Sequence, residues 1–504
     1  MSGPSPVPRY RFNPLERRGL LLGLTLGQML TIAAAVVTAI AVRASIGSAA
    51  GMPVGVALGL GGLALALWPW RGERAYSVVL LGGSWLVRQA YRTRLSAAPT
   101  EGRLLRRERH LPGDEPFLKP GVPDAGGSAS VPFKILPAAS DRGFHVKTRT
   151  GPQGVSLHRH IAVPDGQPTA AVFDRKSGSA TAVLAVQGPP LCLLDPAEQA
   201  AQLEGWRSVL AAVGRPGGPV RRLQWVARSL PSSTLADISI DTTTSISTRG
   251  LSGDNSYGAL LAEAAPLVER HDTWVAISVA SDCGGGPHRA SRQSRLDVLA
   301  REVRFLDGQL RSVDLRPSPP LSVDALADLL AGRHGGSSPI AVREGWSEAQ
   351  VDGMWHRTYW ISDWPRLEVS PNFLAPLLVS KASRRVSVIM APVPLDRAVR
   401  EARSARTADA ADAQLRMRAG FLSNARRDRE AEGAERREAE LADGHCDYRF
   451  SGYVTESADT PDGLAAACAA LEQAAQAARV ELRCLFGRQV EAYWWTLPLC
   501  RGLR

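Results

Sequence analysis

The chain has 504 residues, of which 44% are hydrophobic and 22% charged, with a formal net charge of +11. At roughly 150 residues per domain this length suggests about three units, and the composition excludes a disordered or fibrous chain. The basic excess suits anionic partners, a membrane surface or nucleic acid. It is almost wholly arginine, the lysines being Lys119, Lys134, Lys147, Lys176 and Lys381, a bias that a GC-rich genome produces.

Residues 1–23 form a tail carrying Arg9, Arg11, Arg17 and Arg18. Leu24 to Val42 and Met52 to Trp70 then contain no charged residue. Each run approaches the ~20 apolar residues that a spanning helix needs. The short loop Arg43 to Gly51 predicts an N-terminal two-helix transmembrane hairpin over 24–70. Arg71, Arg74, Arg88, Arg92 and Arg94 follow the second run, whereas the loop carries Arg43 alone. The positive-inside bias therefore predicts a multi-pass cell-membrane protein with both termini cytoplasmic. Arg17, Arg18, Trp68, Trp70, Arg71 and Arg74 are the candidate membrane-interface residues. A signal peptide, with Arg17-Arg18 as a twin-arginine signal, and buried core helices of a soluble protein are the competing readings; the length of the first run and the second run behind it argue against export, and two adjacent charge-free runs argue against core helices.

Residues 71–95 read as an amphipathic juxtamembrane helix, with Val78, Val79, Leu81, Trp85 and Leu86 among arginines. Lying on the membrane face and opening the soluble region are both open to it. Residues 96–130 are rich in Pro, Gly and Arg and read as a linker.

Residues 131–504 are predicted to be a cytoplasmic α+β domain with mainly antiparallel sheets and helices on one face. Thr169 to Asp174 and Thr181 to Val186 form a hairpin around Lys176-Ser177-Gly178-Ser179. Asp195 caps a helix with Pro196 at its first position and Glu198 closing a capping box, so these carboxylates are structural. That helix presents Leu203, Trp206 and Leu210. Strands follow at Val220 to Ala227, Thr273 to Val279, Val386 to Val393 and Tyr448 to Thr455. Helices are expected over Ser256 to Val268, Arg289 to Leu310, Val323 to Ala331 and Asp462 to Arg479, with Ser239 to Ser247 an exposed loop. Val480 to Arg483 and Val490 to Thr496 close the fold.

Leu395 to Leu441 is full of Ala, Arg and Glu with no Pro, which predicts one long charged helix or a helical hairpin, bent near Gly420 or Gly433. Arg403, Arg416, Arg426 and Arg437 are its candidate partner-docking residues; a plain solvated helix is the alternative.

No catalytic chemistry is legible, and no enzyme activity or cofactor is expected. A phosphate-binding loop needs Gly-Lys after its glycines, and no Gly in this chain precedes Lys. Gly214 to Gly218 and Gly284 to Gly286 read as turns. Neither a nucleophile elbow nor an H-E-x-x-H helix is present. His158 and His160 form an H-x-H pair and His445 neighbours Cys446, but neither pair supplies a third ligand, so no metal is expected. The cysteines Cys192, Cys283, Cys446, Cys468, Cys484 and Cys500 make no C-x-x-C motif. Cys192 and Cys468 sit among apolar residues, as buried thiols do. Nothing matches a helix-turn-helix, finger or RRM pattern, so nucleic acid is not an expected partner.

Several stretches follow one another in an order that resembles the N-terminal domain of the VirB-type conjugative and type IV secretion ATPases. Leu191 to Asp195 precedes a helix with Trp206, and Ser256-Tyr257-x-x-Leu260-Leu261 leads to Arg270 and Val275. Arg357-Thr358-Tyr359 precedes Trp364-Pro365-Arg366; then come the long helix, Asp443-Gly444-His445 and Thr496-Leu497-Pro498. Gly19 to Gln28 and Trp68-Pro69-Trp70 resemble the small PrgI-type membrane proteins of the same machines. The resemblance implies a hairpin fused to an ATPase-type N-terminal domain without its motor, since the chain stops near where the motor would begin. It implies a non-catalytic inner-membrane scaffold subunit of a type IV-like secretion or conjugation apparatus. Its implied partners are an ATPase on a separate chain, other inner-membrane secretion subunits and the lipid bilayer, with homo-oligomers open. A type VII-like secretion subunit and a membrane-tethered DNA-contacting protein are the alternatives.

Overall fold

The computed structural model describes residues 26–46, 51–70, 73–96, 130–131, 155–162, 168–174, 177–189, 194–231, 269–280, 292–331, 340–365, 369–418, 425–442 and 446–503. The expected helix at Ser256 to Val268, the Ser239 to Ser247 loop and nearly all of the 96–130 linker lie outside these residues.

Helix α1 spans Leu26–Ile46 and α2 spans Gly51–Leu67. The connection is therefore shorter than the apolar runs suggest, and Arg43 sits in the last turn of α1 rather than in a loop. A cation is stable there against the carbonyl end of the helix. A two-residue ladder, β1 (Pro69–Trp70) with β2 (Glu73–Arg74), turns the chain into α3 (Ala75–Ser96).

The remainder is α+β. Its strands are β3 (Ser130–Val131), β4 (Val155–Ala162), β5 (Pro168–Asp174), β6 (Ala180–Gln187), β7 (Val220–Pro231), β8 (Glu269–Val279), β9 (Arg316–Pro317), β10 (Ile340–Glu344), β11 (Ala349–Val351), β12 (Met354–Asp363), β13 (Ser383–Pro392), β14 (Tyr448–Ala458) and β15 (Glu481–Cys484). They make one thirteen-stranded sheet in the order β3-β10-β11-β12-β14-β13-β7-β8-β6-β5-β4, with β15 also beside β12 and β9 beside β6. The pairings are antiparallel, as expected. The helices are α4 (Pro196–Val213), α5 (Arg292–Arg311), α6 (Val323–Ala331), α7 (Ala375–Leu378), α8 (Leu395–Arg418), α9 (Ala425–Ala442), α10 (Pro461–Ala477) and α11 (Gln489–Trp495).

Helices cover both faces of this sheet, which corrects the expectation of one covered face. On one face α4 and α5 bury Val209, Val213, Leu299 and Leu306 against Leu184, Leu223 and Ile277. The same face continues under α7 and α10, where Leu377, Leu464 and Leu471 meet Ile361, Val386 and Val454. On the opposite face α6 and α11 pack Leu326, Leu330 and Tyr493 with Val183, Val226 and Trp274. Central strands are consequently apolar on both sides, and β6 is buried along most of its length. Val490 to Thr496 belongs to helix α11 and its cap.

The helix at Asp195 begins as its sequence requires. Asp195 Oδ1 accepts from the Ala197 and Glu198 amides at 2.8 Å, and Glu198 Oε2 accepts from the Asp195 amide at 3.1 Å. Such a cap contributes about 1 kcal/mol. A buried amide ties the chain's C-terminal stretch to the sheet. Gln224 Nε2 donates to the carbonyls of Trp495 (3.0 Å) and Leu497 (2.8 Å) and to Ser387 Oγ (2.8 Å), while its Oε1 accepts from the Cys500 amide at 2.6 Å.

Candidate membrane-interface and docking surfaces

Helix α1 is long and apolar enough, over Gly27–Ser45, to cross a membrane, and only 6% of that stretch is buried. Leu30, Val37 and Ile40 point outward uncovered. Helix α2 is a shorter apolar helix beside it, with Val56 and Leu60 equally bare. Small residues line the contact between the two. A Cβ on Gly62 would lie 2.1 Å from Ala35 Cβ, and one on Gly55 would lie 3.2 Å from the Ala39 carbonyl oxygen. Close backbone approach of this kind is how helices associate where no hydrophobic drive exists between them. Gln28 is fully buried, and its Nε2 donates to the Ala66 carbonyl at 3.0 Å, so this polar side chain is satisfied within an apolar pair.

The start of α1 and the end of α2 share one end of the pair. Trp68, Trp70 and Arg74 gather there: Trp68 follows α2 directly with its ring exposed, while Trp70 and Arg74 sit in the β1–β2 ladder, their side chains outside the described residues. Arg17, Arg18 and Arg71 also lie outside the described residues.

Helix α3 starts at this same end. Tyr76 packs on α1 at Gly27, where an added Cβ would meet Tyr76 Oη at 2.6 Å. Further along, Trp85 meets Trp346 edge-on at 5.6 Å between ring centroids, and Trp346 stacks on Phe486 at 6.0 Å. The Gly487 amide donates to the Trp346 carbonyl at 2.7 Å. The left-handed φ of +66° at Gly487 suits the missing side chain, because a Cβ there would press on the Trp346 ring at 2.9 Å. Trp346 and Phe486 were not singled out in the sequence; their only signal is two isolated aromatics beside glycine in turns.

The charged stretch is described as two helices, α8 and α9, with Gly433 inside α9; residues 419–424, and Gly420 with them, lie outside the described residues. They pair near their bases: Arg406 Nη1 lies 2.7 Å and Arg403 Nε 4.0 Å from Glu438. Val393, Ala398, Ala402 and Leu441 form a small apolar base. Arg437 is half-buried and pairs with Asp447, while Glu401 links Arg397 and Arg449. From Arg406 to Arg418 every described side chain is exposed. Arg416 and Arg426 lie in α8 and α9 with their side chains outside the described residues. Thus Arg403 and Arg437 both pair near the base, but with different carboxylates, Glu438 and Asp447.

Ionisable groups inside the α+β unit are packed as structure. Arg384 and Glu456 form a buried pair, and Arg384 Nη1 also faces the carbonyls of Pro376, Leu377 and Val379. Burial pushes the Glu456 carboxyl up to about 7, against the pull of Arg384. His356 Nδ1 is 2.7 Å from Ser457 Oγ, and its ring lies 4.5 Å from that of Tyr493. Burial first, then the charge of Arg385, lowers the imidazole to about 3, so it is neutral. Glu456 and Ser457 are consecutive in β14 and point to opposite faces, so Glu456 and the histidine that Ser457 contacts cannot act as a pair. Cys468 and Cys500 are buried free thiols. Burial raises both, Cys500 to about 12. Among the described residues no group of three or more His, Cys, Asp or Glu could hold a metal ion; the side chains of His158 and His160, on β4, lie outside them. No protein-family model matches the chain, and no curated protein matches it significantly.

Proposed function

We propose that this chain is a non-catalytic inner-membrane scaffold subunit of a type IV-like secretion or conjugation apparatus, which holds a separate ATPase at the membrane. One observation carries the reading. An apolar helix pair, close-packed through glycine and alanine and bare on its outside, leads through the β1–β2 ladder into α3, which contacts a large α+β unit covered on both sheet faces. A bilayer covers such a bare exterior at no cost to solubility. The resemblance to the secretion ATPases and PrgI-type proteins names the machine. That no Gly precedes Lys in these 504 residues supports placing nucleotide hydrolysis on another chain. The exposed α8–α9 pair is its docking arm, and both termini lie in the cytoplasm.

The test is purification from native membranes. The full chain stays with the membrane through alkaline carbonate extraction and brings down one chain that hydrolyses ATP with magnesium. Reporters fused at Gly47 and Arg504 give extracytoplasmic and cytoplasmic signals respectively. Recovery in the soluble fraction, an extracytoplasmic signal from Arg504, or saturable magnesium-dependent ATP binding by the purified chain alone refutes the reading.

A further inference from the structure

Helix α3 has two apolar sides, and they meet different things. Val78, Leu81, Gly82 and Trp85 recur at i, i+3, i+4 and i+7 and form one side. This side meets the α+β unit: Trp85 lies against Trp346, and a Cβ on Gly82 would sit 3.8 Å from that same indole. Tyr76, Val79, Leu80, Gly83, Leu86 and Val87 recur at the same period on the other side. That side begins with Tyr76 against α1 at Gly27. Beyond Tyr76 it has no cover: Val79, Leu80, Leu86 and Val87 are 58–69% exposed.

We infer that α3 is an interfacial strap, with its Leu80–Val87 side sunk into the lipid surface and its Trp85 side clamped to the α+β unit. The occupant is lipid because the bare side of α3 begins with Tyr76 against Gly27 at the start of α1, so it runs on from the uncovered apolar exterior of the α1–α2 pair. Four large aliphatic side chains on one stripe bury in the headgroup–acyl boundary as amphipathic interfacial helices do. The Trp85, Trp346 and Phe486 rings then fix which surface of the α+β unit faces the bilayer: the β10–β11 turn at Trp346 and the β15–α11 turn at Phe486. Residues 96–130 consequently do not set the reach of that unit, since α3 docks on it before they begin. The inference rests on the membrane reading above and adds the identity and orientation of the lipid-facing surface.

Photo-crosslinking of the full chain reconstituted in vesicles of phosphatidylcholine and phosphatidylglycerol with radiolabelled phospholipid tests it. Benzoylphenylalanine is placed singly at Val37, Leu80, Val87 or Trp85. Positions 80 and 87 label phospholipid with yields comparable to position 37, and position 85 joins α3 to a peptide containing Trp346 or Phe486. Lipid labelling at 37 without labelling at 80 and 87 overturns the strap while leaving the anchor intact. Failure at 37 as well overturns the anchor and the strap with it. Labelling at 80 and 87 without the internal crosslink from 85 overturns the clamp.

Discussion

His356→Gln removes a buried imidazole while keeping a side chain that can bond Ser457. Burial and Arg385 lower the histidine from 6.5 to about 3. The unfolded chain therefore binds this proton more tightly than the folded one. The stability contributed by the neutral ring is complete above pH 6.5 and is lost as pH falls toward about 3. At pH 5, one and a half units below the ordinary value at about 1.4 kcal/mol per unit, the loss is about 2 kcal/mol. Glu456 acts in the opposite sense: its folded value is raised, so its contribution declines as pH rises from the ordinary carboxylate range through about 7. Wild type alone thus shows a flattened profile, whereas the difference between wild type and H356Q isolates the imidazole. Urea unfolding of the detergent-solubilised full chain, followed by tryptophan fluorescence at pH 8 and pH 5, measures it. Relative to the variant, wild type should lose about 2 kcal/mol between the two pH values. An unchanged difference would show that His356 titrates normally and that the α11 face admits water.

The other outcomes rest on packing. Gly62→Val, which drives a side chain into Ala35, should lower the thermal midpoint of the solubilised chain by the equivalent of ~1–3 kcal/mol, whereas Gly59→Val, with nothing within 4 Å, should not; equal effects would refute the glycine contact. Gln224→Leu leaves the buried Cys500 amide without its acceptor and takes one donor from the Trp495 and Leu497 carbonyls, which keep Ser387 and the Leu499 amide, a cost of about 1–3 kcal/mol, and hydrogen exchange over 496–500 should accelerate sharply; protection unchanged from wild type would show that the amide is dispensable. Replacing 409–432 with a short Gly-Ser link keeps the base of α8 and α9 and should leave the unit folded while abolishing recovery of the proposed ATPase partner. A folded variant that retains this partner shows the arm is not the docking site.

Elements with one dominant local signal were readable in the sequence. The β5–β6 hairpin follows from two apolar runs around Ser-Gly-Ser, α4 from the Asp195-Pro196 start, and α10 from the stripe Leu464, Cys468, Leu471 and Ala475. Strand β12 escaped because His356, Arg357 and Thr358 look like surface residues. They are satisfied instead by Ser457, Glu348 and Thr455, partners from strand neighbours or a turn, one of them nine residues away and the others about a hundred. Coverage of both faces was hidden for a related reason: in Ala- and Val-rich strands both sides look alike, so alternation gives no direction. Val490 to Thr496 is apolar on nearly every side, and a short run of that kind does not separate strand from buried helix. At the surfaces, the apolar exterior of α1 and α2 was plain from composition. The pairing of Arg437 with Asp447, and the meeting of Trp85 with an indole far along the chain, depend on tertiary geometry that no spacing encodes.

The grip of Gln224 on Cys500 joins residues 276 positions apart, and this imposes an order on biogenesis. Helix α1 leaves the ribosome first and can enter the bilayer while the rest is still being made. The sheet face under α11 cannot close until Cys500 has been synthesised, on the order of tens of seconds after Gln224 at ordinary elongation rates. During that interval Val226, Trp274 and Ala276 are without their final cover. On the membrane reading proposed above, a nascent chain already held at the bilayer would keep that exposed surface apart from other copies, so early anchoring would guard the unfinished sheet against aggregation.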